Sequence, residues 1–446
     1  MSKAIMLAAA LVAGLAPAAL AQAPAGDRWT IIHAGAVLAV PGTPARAKTS
    51  LIVKNSLIQE LKDGFVTADS IGAPAQAVTV VDLGDRYVLP GLIDSHVHIT
   101  SERARDSELQ RVKKTGENVA LDGVVYARRT LDAGFTTVRD LGSRGAPALA
   151  LRDAIRRGQV PGPRIVAAGQ SISATGGHSD TNGFAPDVFP ELGENICNGR
   201  EQCRHAARNQ IKRGADVIKI TATGGVLSNT AAGTGRQMFD DEIEGVVEAA
   251  HAMGRKVAVH AHGADGVNAA LRAGVDSIEH GTYLNDESIA LFKKSGAYLV
   301  PTVLAGATVV RMADEEGFLP PAVRDKARQV GPLMLDMLGR AYRGGVKIAF
   351  GTDTGVSEHG NNAEEFALMV KAGIPADIAI RMGTVDAADL LDLSKQIGTL
   401  EPGKAADVIA VASDPTKDIT ELQRVLFVMS SGRVHKAAPA KVAAKP

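Results

Sequence analysis

The residues of this chain best suited to chemistry are histidines that fall in spaced pairs at the ends of apolar runs. Val88-Leu89-Pro90-Gly91-Leu92-Ile93-Asp94 leads into Ser95-His96-Val97-His98. Residues two apart on a strand point the same way, so His96 and His98 can aim both imidazoles at one cation. A single His-x-His is equally well explained as a surface accident. The company around it decides. Val257-Ala258-Val259-His260-Ala261-His262 repeats the arrangement, Ser277-Ile278-Glu279-His280 ends another apolar run on histidine, and Ile348-Ala349-Phe350-Gly351-Thr352-Asp353 ends one on a carboxylate. The chain has 11 histidines. Unrelated core or surface histidines would not gather His96, His98, His260, His262 and His280 at such positions.

Lys219 is embedded in Val217-Ile218-Lys219-Ile220. An unpaired ammonium in an apolar strand is costly. It has three donors and no acceptor, so it cannot ligate a cation as it stands. Reaction of the neutral amine with CO2 would give a carbamate whose two oxygens can bridge two metals. The simpler reading of the residue taken alone is a lysine paired with a carboxylate or reaching outward.

The elements that must position these groups follow from the alternation of short apolar runs with longer helical stretches, the pattern of parallel βα units. Expected strands are Val88–Asp94, Thr136–Arg139, Arg164–Ala168, Val217–Thr221, Lys256–His260, Ser277–Glu279, Ala297–Pro301 and Lys347–Phe350. These are about eight, as a closed (β/α)8 TIM-type barrel requires, and such barrels carry their active sites at the C-terminal ends of the strands. Gly134, Gly214, Gly254, Gly274, Gly296 and Gly345 precede these strands, where helix-to-strand turns favour positive φ. Short β-type runs between Trp29 and Val88, and again at Asp407–Val411 and Arg424–Val428, predict a small β-sandwich built from both chain ends. The organisation expected of this α/β protein is a sandwich over 27–88 plus 398–435, a barrel over 89–397 and a loose tail at 436–446.

The 446 residues are 45% hydrophobic and 22% charged, with 49 basic and 49 acidic side chains. No basic field exists to hold a polyanion, which argues against nucleic acid as a partner. Lys3 followed by the uncharged stretch Ala4–Leu20 and by Ala19-Leu20-Ala21 reads as a signal peptide over 1–21. The rival is a membrane anchor, but the run is short for a span. Cleavage would leave no membrane partner and a periplasmic or secreted protein. In that compartment Cys197 and Cys203 are expected to close a small disulfide loop, the alternative being half of a zinc site. The pairs Gly176-Gly177 and Gly224-Gly225 lack the Lys-Ser/Thr of a phosphate loop, and read instead as tight turns leaving room beside the strands.

The sequence resembles the amidohydrolase superfamily in its binuclear, carboxylated-lysine branch. The resemblance rests on Leu89-Pro90-Gly91-Leu92-Ile93-Asp94-Ser95-His96-Val97-His98, on Gly351-Thr352-Asp353 and on Gly398-Thr399-Leu400-Glu401-Pro402-Gly403-Lys404-Ala405-Ala406-Asp407, within about Trp29 to Val434. It implies that His96, His98, Lys219, His260, His280 and Asp353 bind two divalent metals, most plausibly zinc, with Lys219 as a carbamate. Ala174-Thr175-Gly176-Gly177-His178, Asp216-Val217-Ile218-Lys219-Ile220 and Val259-His260-Ala261-His262-Gly263 look like the Xaa-Pro and Xaa-Lys/Arg dipeptidase and ochratoxin-amidase group, with imidazolonepropionase-like relatives near it. By that likeness His178 contacts substrate, and His262 either supports a neighbouring ligand or faces substrate. The stretch Gly383-Thr384-Val385-Asp386-Ala387-Ala388 departs from the group's usual Ala-Thr and Asn, away from the ligands.

The implied activity is hydrolysis of dipeptides or N-acyl amino acids to release the C-terminal residue, with Asp353 moving the proton and His178 serving the carbonyl oxygen. Asp180 and Glu358 are candidates, by loop position, for facing a Lys or Arg leaving residue. The rivals are a lactam or cyclic-amide hydrolase of the imidazolonepropionase type, an ochratoxin-like amidase, and a metal-free scaffold, which the full ligand set argues against. A homo-oligomer is expected.

Overall fold

The computed structural model describes residues 26–437 apart from 186, 187, 189 and 229–232. The expected signal peptide at 1–21 and residues 438–446 of the expected tail lie outside the described residues. Among those described, no helix is long and apolar enough to cross a membrane.

The chain opens with β1 (Trp29–Val37), β2 (Arg46–Lys54), β3 (Leu57–Asp63) and β4 (Val78–Pro90). Eight shorter strands follow: β5 (Leu92–Val97), β6 (Phe135–Asp140), β7 (Arg164–Ala167), β8 (Ile218–Thr221), β9 (Val257–Ala261), β10 (Ser277–His280), β11 (Tyr298–Val300) and β12 (Lys347–Ile348). The chain ends in β13 (Val408–Val411), β14 (Phe427–Ser430) and β15 (Arg433–Lys436). Lys436, expected in the loose tail, closes that last strand.

The two chain ends meet in one seven-stranded sheet of order β15-β14-β13-β4-β1-β2-β3. β4 is the hinge of the arrangement. It lies parallel to β1, and Val408 of β13 pairs with its last residue, Pro90, in antiparallel register. Ile32, Leu51, Val53, Ile58, Val408, Phe427 and Met429 form a core of this sheet's own. Val88–Pro90, expected to start the first strand of the site, therefore belongs to this sheet, and β5 starts after Gly91. The break falls where the chain presses on its neighbour: a Cβ at Gly91 would lie 2.1 Å from Oγ1 of Thr136.

β5, β6 and β7 pair in parallel, as do β8 to β12 in order. Hydrogen bonds join these two sheets at both seams. Ile172 N donates to Lys219 O (2.8 Å) after β7, and Ser95 N to Phe350 O (2.9 Å) and Asp353 N to His96 O (2.7 Å) join the segment after β12 to β5. Every residue of β8 and β9 is buried, as expected of parallel strands covered on both faces. Helices such as Gly116–Asp132, Arg200–Lys212 and Asp240–Ala252 alternate with the strands. β12 ends at Ile348, short of the expected Phe350, and Phe350 stacks on Phe135 and Phe366 at 5.6 and 4.1 Å, packing the segment after β12 against β6 and a helix. The helices Ala264–Ala273 and Asp286–Ser295 stop at Gly274 and Gly296, whose φ values of +87° and +74° suit glycine. Arg164 of β7 reaches Asp407 at 2.8 Å and ties the two parts together.

Candidate functional site

The strands deliver the sequence-selected residues to one place. His96, His98, Lys219, His260, His262, His280 and Asp353 line a single cavity of about 230 Å³, together with His178. His280, Asp353 and the adjoining Thr302 hold φ values of +73°, +57° and +51°. A non-glycine residue in that region costs on the order of 1–3 kcal/mol and persists only where the surroundings over-determine it. His280 closes β10 and Asp353 lies in the loop after β12, and both side chains line the cavity.

Buried partners set the direction of each imidazole. Nδ1 of His98 lies 2.8 Å from Gly142 O, which can only accept, so Nδ1 carries a proton and Nε2 is the nitrogen turned toward Asp353. Nδ1 of His96 lies 2.9 Å from Oε2 of Glu279, with the same consequence. Nδ1 of His262 and of His280 meets the hydroxyls of Thr282 and Thr302 at 2.8 and 2.7 Å. Glu279 is itself clamped by Arg139 (3.0 Å) and by the Ser277 hydroxyl (2.6 Å). Burial would raise its pKa, but Arg139 and His96 outweigh burial and hold it down at about 2. Asp94 accepts from the backbone N–H groups of His96 and Thr352 and from the side chains of Thr352 and Asn362. It thereby stitches the end of β5 to the Asp353 loop.

Two sets of donor atoms are close enough to share an ion: His96, His98 and Asp353, and His260, His262 and His280. The first set fits a cation well. Oδ1 of Asp353 lies 3.2 Å from Nε2 of His98 and 3.5 Å from Nε2 of His96, yet it is buried and makes no well-formed hydrogen bond among the described residues. A buried carboxylate oxygen facing two imidazole nitrogens so arranged has the chemistry of a divalent-metal site. Burial and then Lys219 press the His96 pKa down to about 4, so its ring is neutral, as a ligand must be. Burial likewise holds His260 and His280 well below the ordinary histidine value. Lys219 is 3% exposed and belongs to neither set, but it faces the same cavity. Burial lowers its pKa to about 8 against the opposing pull of Glu279 and Asp353.

His178 stacks on His260 with ring centroids 4.1 Å apart, and its Nδ1 is buried without a hydrogen-bond partner among the described residues. The Gly224-Gly225 turn makes room for it: a Cβ at Gly225 would lie 2.3 Å from the His178 ring. His262, which the resemblance leaves out of the ligand set, stacks on His280 at 4.8 Å and joins the second set. The two rim carboxylates fare differently. Asp180 lines an adjoining cavity, but its oxygens accept from Gly176 N and Thr181 N (2.8 and 2.7 Å). Glu358 is exposed and lines neither cavity. Cys197 and Cys203 are joined by a disulfide.

The sequence reading passed over Glu279, Arg139 and Asp94. The signal was present in two of them, since Arg139 and Glu279 are charges inside apolar strands just as Lys219 is.

The model of the amidohydrolase family matches residues 87–435. An ochratoxinase of Aspergillus niger is 30% identical over 435 residues, covering 91% of this chain and 86% of that protein. The crystal structure of a Xaa-Pro dipeptidase with bound methionine in the active site matches with a TM-score of 0.87 and 42% identity, over 92% of this chain and 100% of that one. A prolidase complexed with N-methylphosphonate-L-proline matches at 0.83 and 29%, over 92% and 100%. The family and these structures imply a TIM-barrel fold, and superfamily members generally use divalent metals. The chain belongs to the amidohydrolase family and is a hydrolase acting on amide bonds.

Proposed function

We propose that the protein hydrolyses the amide bond of dipeptides or N-acyl amino acids and releases the C-terminal residue, in the manner of Xaa-Pro or Xaa-Lys/Arg dipeptidases. The observation that carries this reading is the convergence of His96, His98, Lys219, His260, His280 and Asp353 on one cavity, with Asp353 Oδ1 facing two imidazole nitrogens. We read β5–β12 as a (β/α)8 barrel spanning about 89–397. The seven-stranded sheet then corresponds to the sandwich expected over 27–88 and 398–435. A cleaved signal at 1–21 and a periplasmic or secreted location accord with the Cys197–Cys203 disulfide. Assembly as a homo-oligomer is part of the same reading.

His96, His98 and Asp353 would hold one divalent ion and His260 and His280 the other, with Lys219 as a carbamate serving both, and this imidazole and carboxylate donor set suits zinc. Carbamate formation needs the neutral amine. It joins the Lys219 nitrogen to CO2 with loss of one proton, and the lowered pKa of this lysine makes the amine accessible near neutral pH. When bound, the metals acidify water and polarise the scissile carbonyl. Burial opposes ionisation of Asp353, but His96 and His98 outweigh it and hold its pKa at about 2, so it is in the ionised form that ligation and proton acceptance both require. As the water oxygen bonds to the carbonyl carbon, its proton passes to Asp353. When the C–N bond breaks, the same proton goes to the leaving amine. Burial keeps His178 neutral, with its pKa at about 3, and the N–H of its neutral ring donates to the carbonyl oxygen as charge develops there. A screen of dipeptides and N-acyl amino acids with metal-loaded protein tests the reading. Release of the C-terminal residue supports it, and ring opening of lactams without cleavage of any linear amide contradicts it.

A further inference from the structure

The helix Val303–Asp314 begins beside the residue that meets His280, and its first turn is capped from far away in the chain. Its N-cap is Thr302, a residue type whose hydroxyl ordinarily accepts from a backbone N–H of the first turn. No such bond forms here. Oγ1 of Thr302 lies 2.7 Å from Nδ1 of His280 instead, which leaves Nε2 as the nitrogen for an ion. Glu365 supplies the acceptors that the helix still needs. Val303 N donates to its Oε1 at 3.0 Å, and Leu304 N to its Oε2 at 2.5 Å.

Glu365 is fully buried, and its carboxyl has no basic partner among the described residues. Burial pushes its pKa up to about 8 against the pull of the two N–H groups. A buried acid without a cation is a costly way to cap a helix, where a hydroxyl or an amide ordinarily serves. What this carboxyl provides is two acceptors at once, and that leaves the Thr302 hydroxyl to His280.

The same turn of chain is tied to the other set of donors. Glu365 N donates to Asn362 O at 3.2 Å, and Nδ2 of Asn362 donates to Oδ2 of Asp94 at 2.8 Å. Asp94 in turn accepts from His96 N and Thr352 N, beside the set of His96, His98 and Asp353. Residues 362–365 therefore reach both donor sets from behind. Glu365 itself does not line the cavity, so it can act only through the groups it holds.

We propose that Glu365 is a positioning residue for the metal centre, one that caps the helix Val303–Asp314 so that the Thr302 hydroxyl orients His280, and that holds this imidazole in register with His96, His98 and Asp353 through Asn362 and Asp94. The inference rests on the two-ion reading above and adds to it a residue that touches neither ion nor substrate.

The test is zinc binding in the presence of bicarbonate, read by competition with a chromophoric chelator. Wild-type protein should hold two ions. Glu365→Gln sets an amide NH2 against a backbone N–H and should weaken one of the two ions roughly 10- to 100-fold, the usual loss when the support of a ligand is removed. Thr302→Val should weaken an ion to a similar extent. The double variant should be no weaker than Thr302→Val alone, because residues that act along one path are not additive. Met369→Ala is the control. It removes a buried side chain from the helix that carries Glu365, and should lower Tm with both ions held as in the wild type. If Glu365→Gln fails to fold, Glu365→Asp carries the same comparison with Thr302→Val. Wild-type zinc affinity in the Glu365 variants, an equal loss in Met369→Ala, or full additivity in the double variant would overturn the inference and leave the two-ion reading intact. Wild-type protein that binds no zinc would instead remove that reading.

Discussion

Nδ1 of His96 and Oε2 of Glu279 meet at 2.9 Å, both side chains buried, across 183 residues of chain. This contact fixes which nitrogen of His96 faces the cavity, and Arg139 keeps its carboxylate ionised in a place where burial alone would not. Replacing Glu279 by Gln should weaken metal binding roughly 10- to 100-fold, the usual effect of losing a group that orients a ligand. Competition with a chromophoric chelator measures it. Glu279→Ala also strands the Arg139 guanidinium, and breaking a buried pair in this way costs about 3–5 kcal/mol, visible as a lowered Tm. Unchanged affinity in the Gln variant would remove Glu279 from the support of the site.

Lys219→Ala should abolish binding of two ions, because one side chain is proposed to serve both. Metal content by mass spectrometry should fall well below that of the wild type. Partial recovery of activity with a small carboxylic acid would support the carbamate. A variant that keeps two ions and full turnover would exclude the lysine from the centre.

Much of this site could be read from residue spacing because strand geometry turns sequence position into direction. His96 and His98 share a face of one extended segment, and His260 and Asp353 sit where apolar runs end. Asp94 left no such trace of its role. It too ends an apolar run, and only folding brings Thr352 and Asn362 to its carboxylate. The boundary at Gly91 was misplaced for a related reason. Val88–Pro90 is as apolar as Leu92–Ile93, and only the pairing of Pro90 with Val408 assigns it to the other sheet. Pro90-Gly91 was the available sign of a break.

His178 should act on the chemical step without holding metal. His178→Ala is expected to lower kcat by about 10²- to 10³-fold, the scale of losing one donor to a developing oxyanion, while metal content stays constant. Gly225→Ala gives an independent check. Its Cβ would lie 2.3 Å from the His178 ring, so it should displace the ring and lower kcat in the same direction. A His178 variant that changes only metal content would make the residue a ligand instead.

Asp353→Asn should reduce turnover by several orders of magnitude, because an amide neither accepts the proton nor carries the charge that His96 and His98 face. Steady-state kinetics on one dipeptide suffices. A defect confined to KM would contradict the proton-transfer role.

The account depends most on the metal centre, and metal analysis paired with activity on a single preparation tests it most directly. Protein produced with zinc and bicarbonate should contain close to two ions per chain, lose nearly all hydrolysis of a dipeptide or N-acyl amino acid on chelation, and regain it when the ions return. Full amide-hydrolase activity in protein shown to be metal-free would contradict the account.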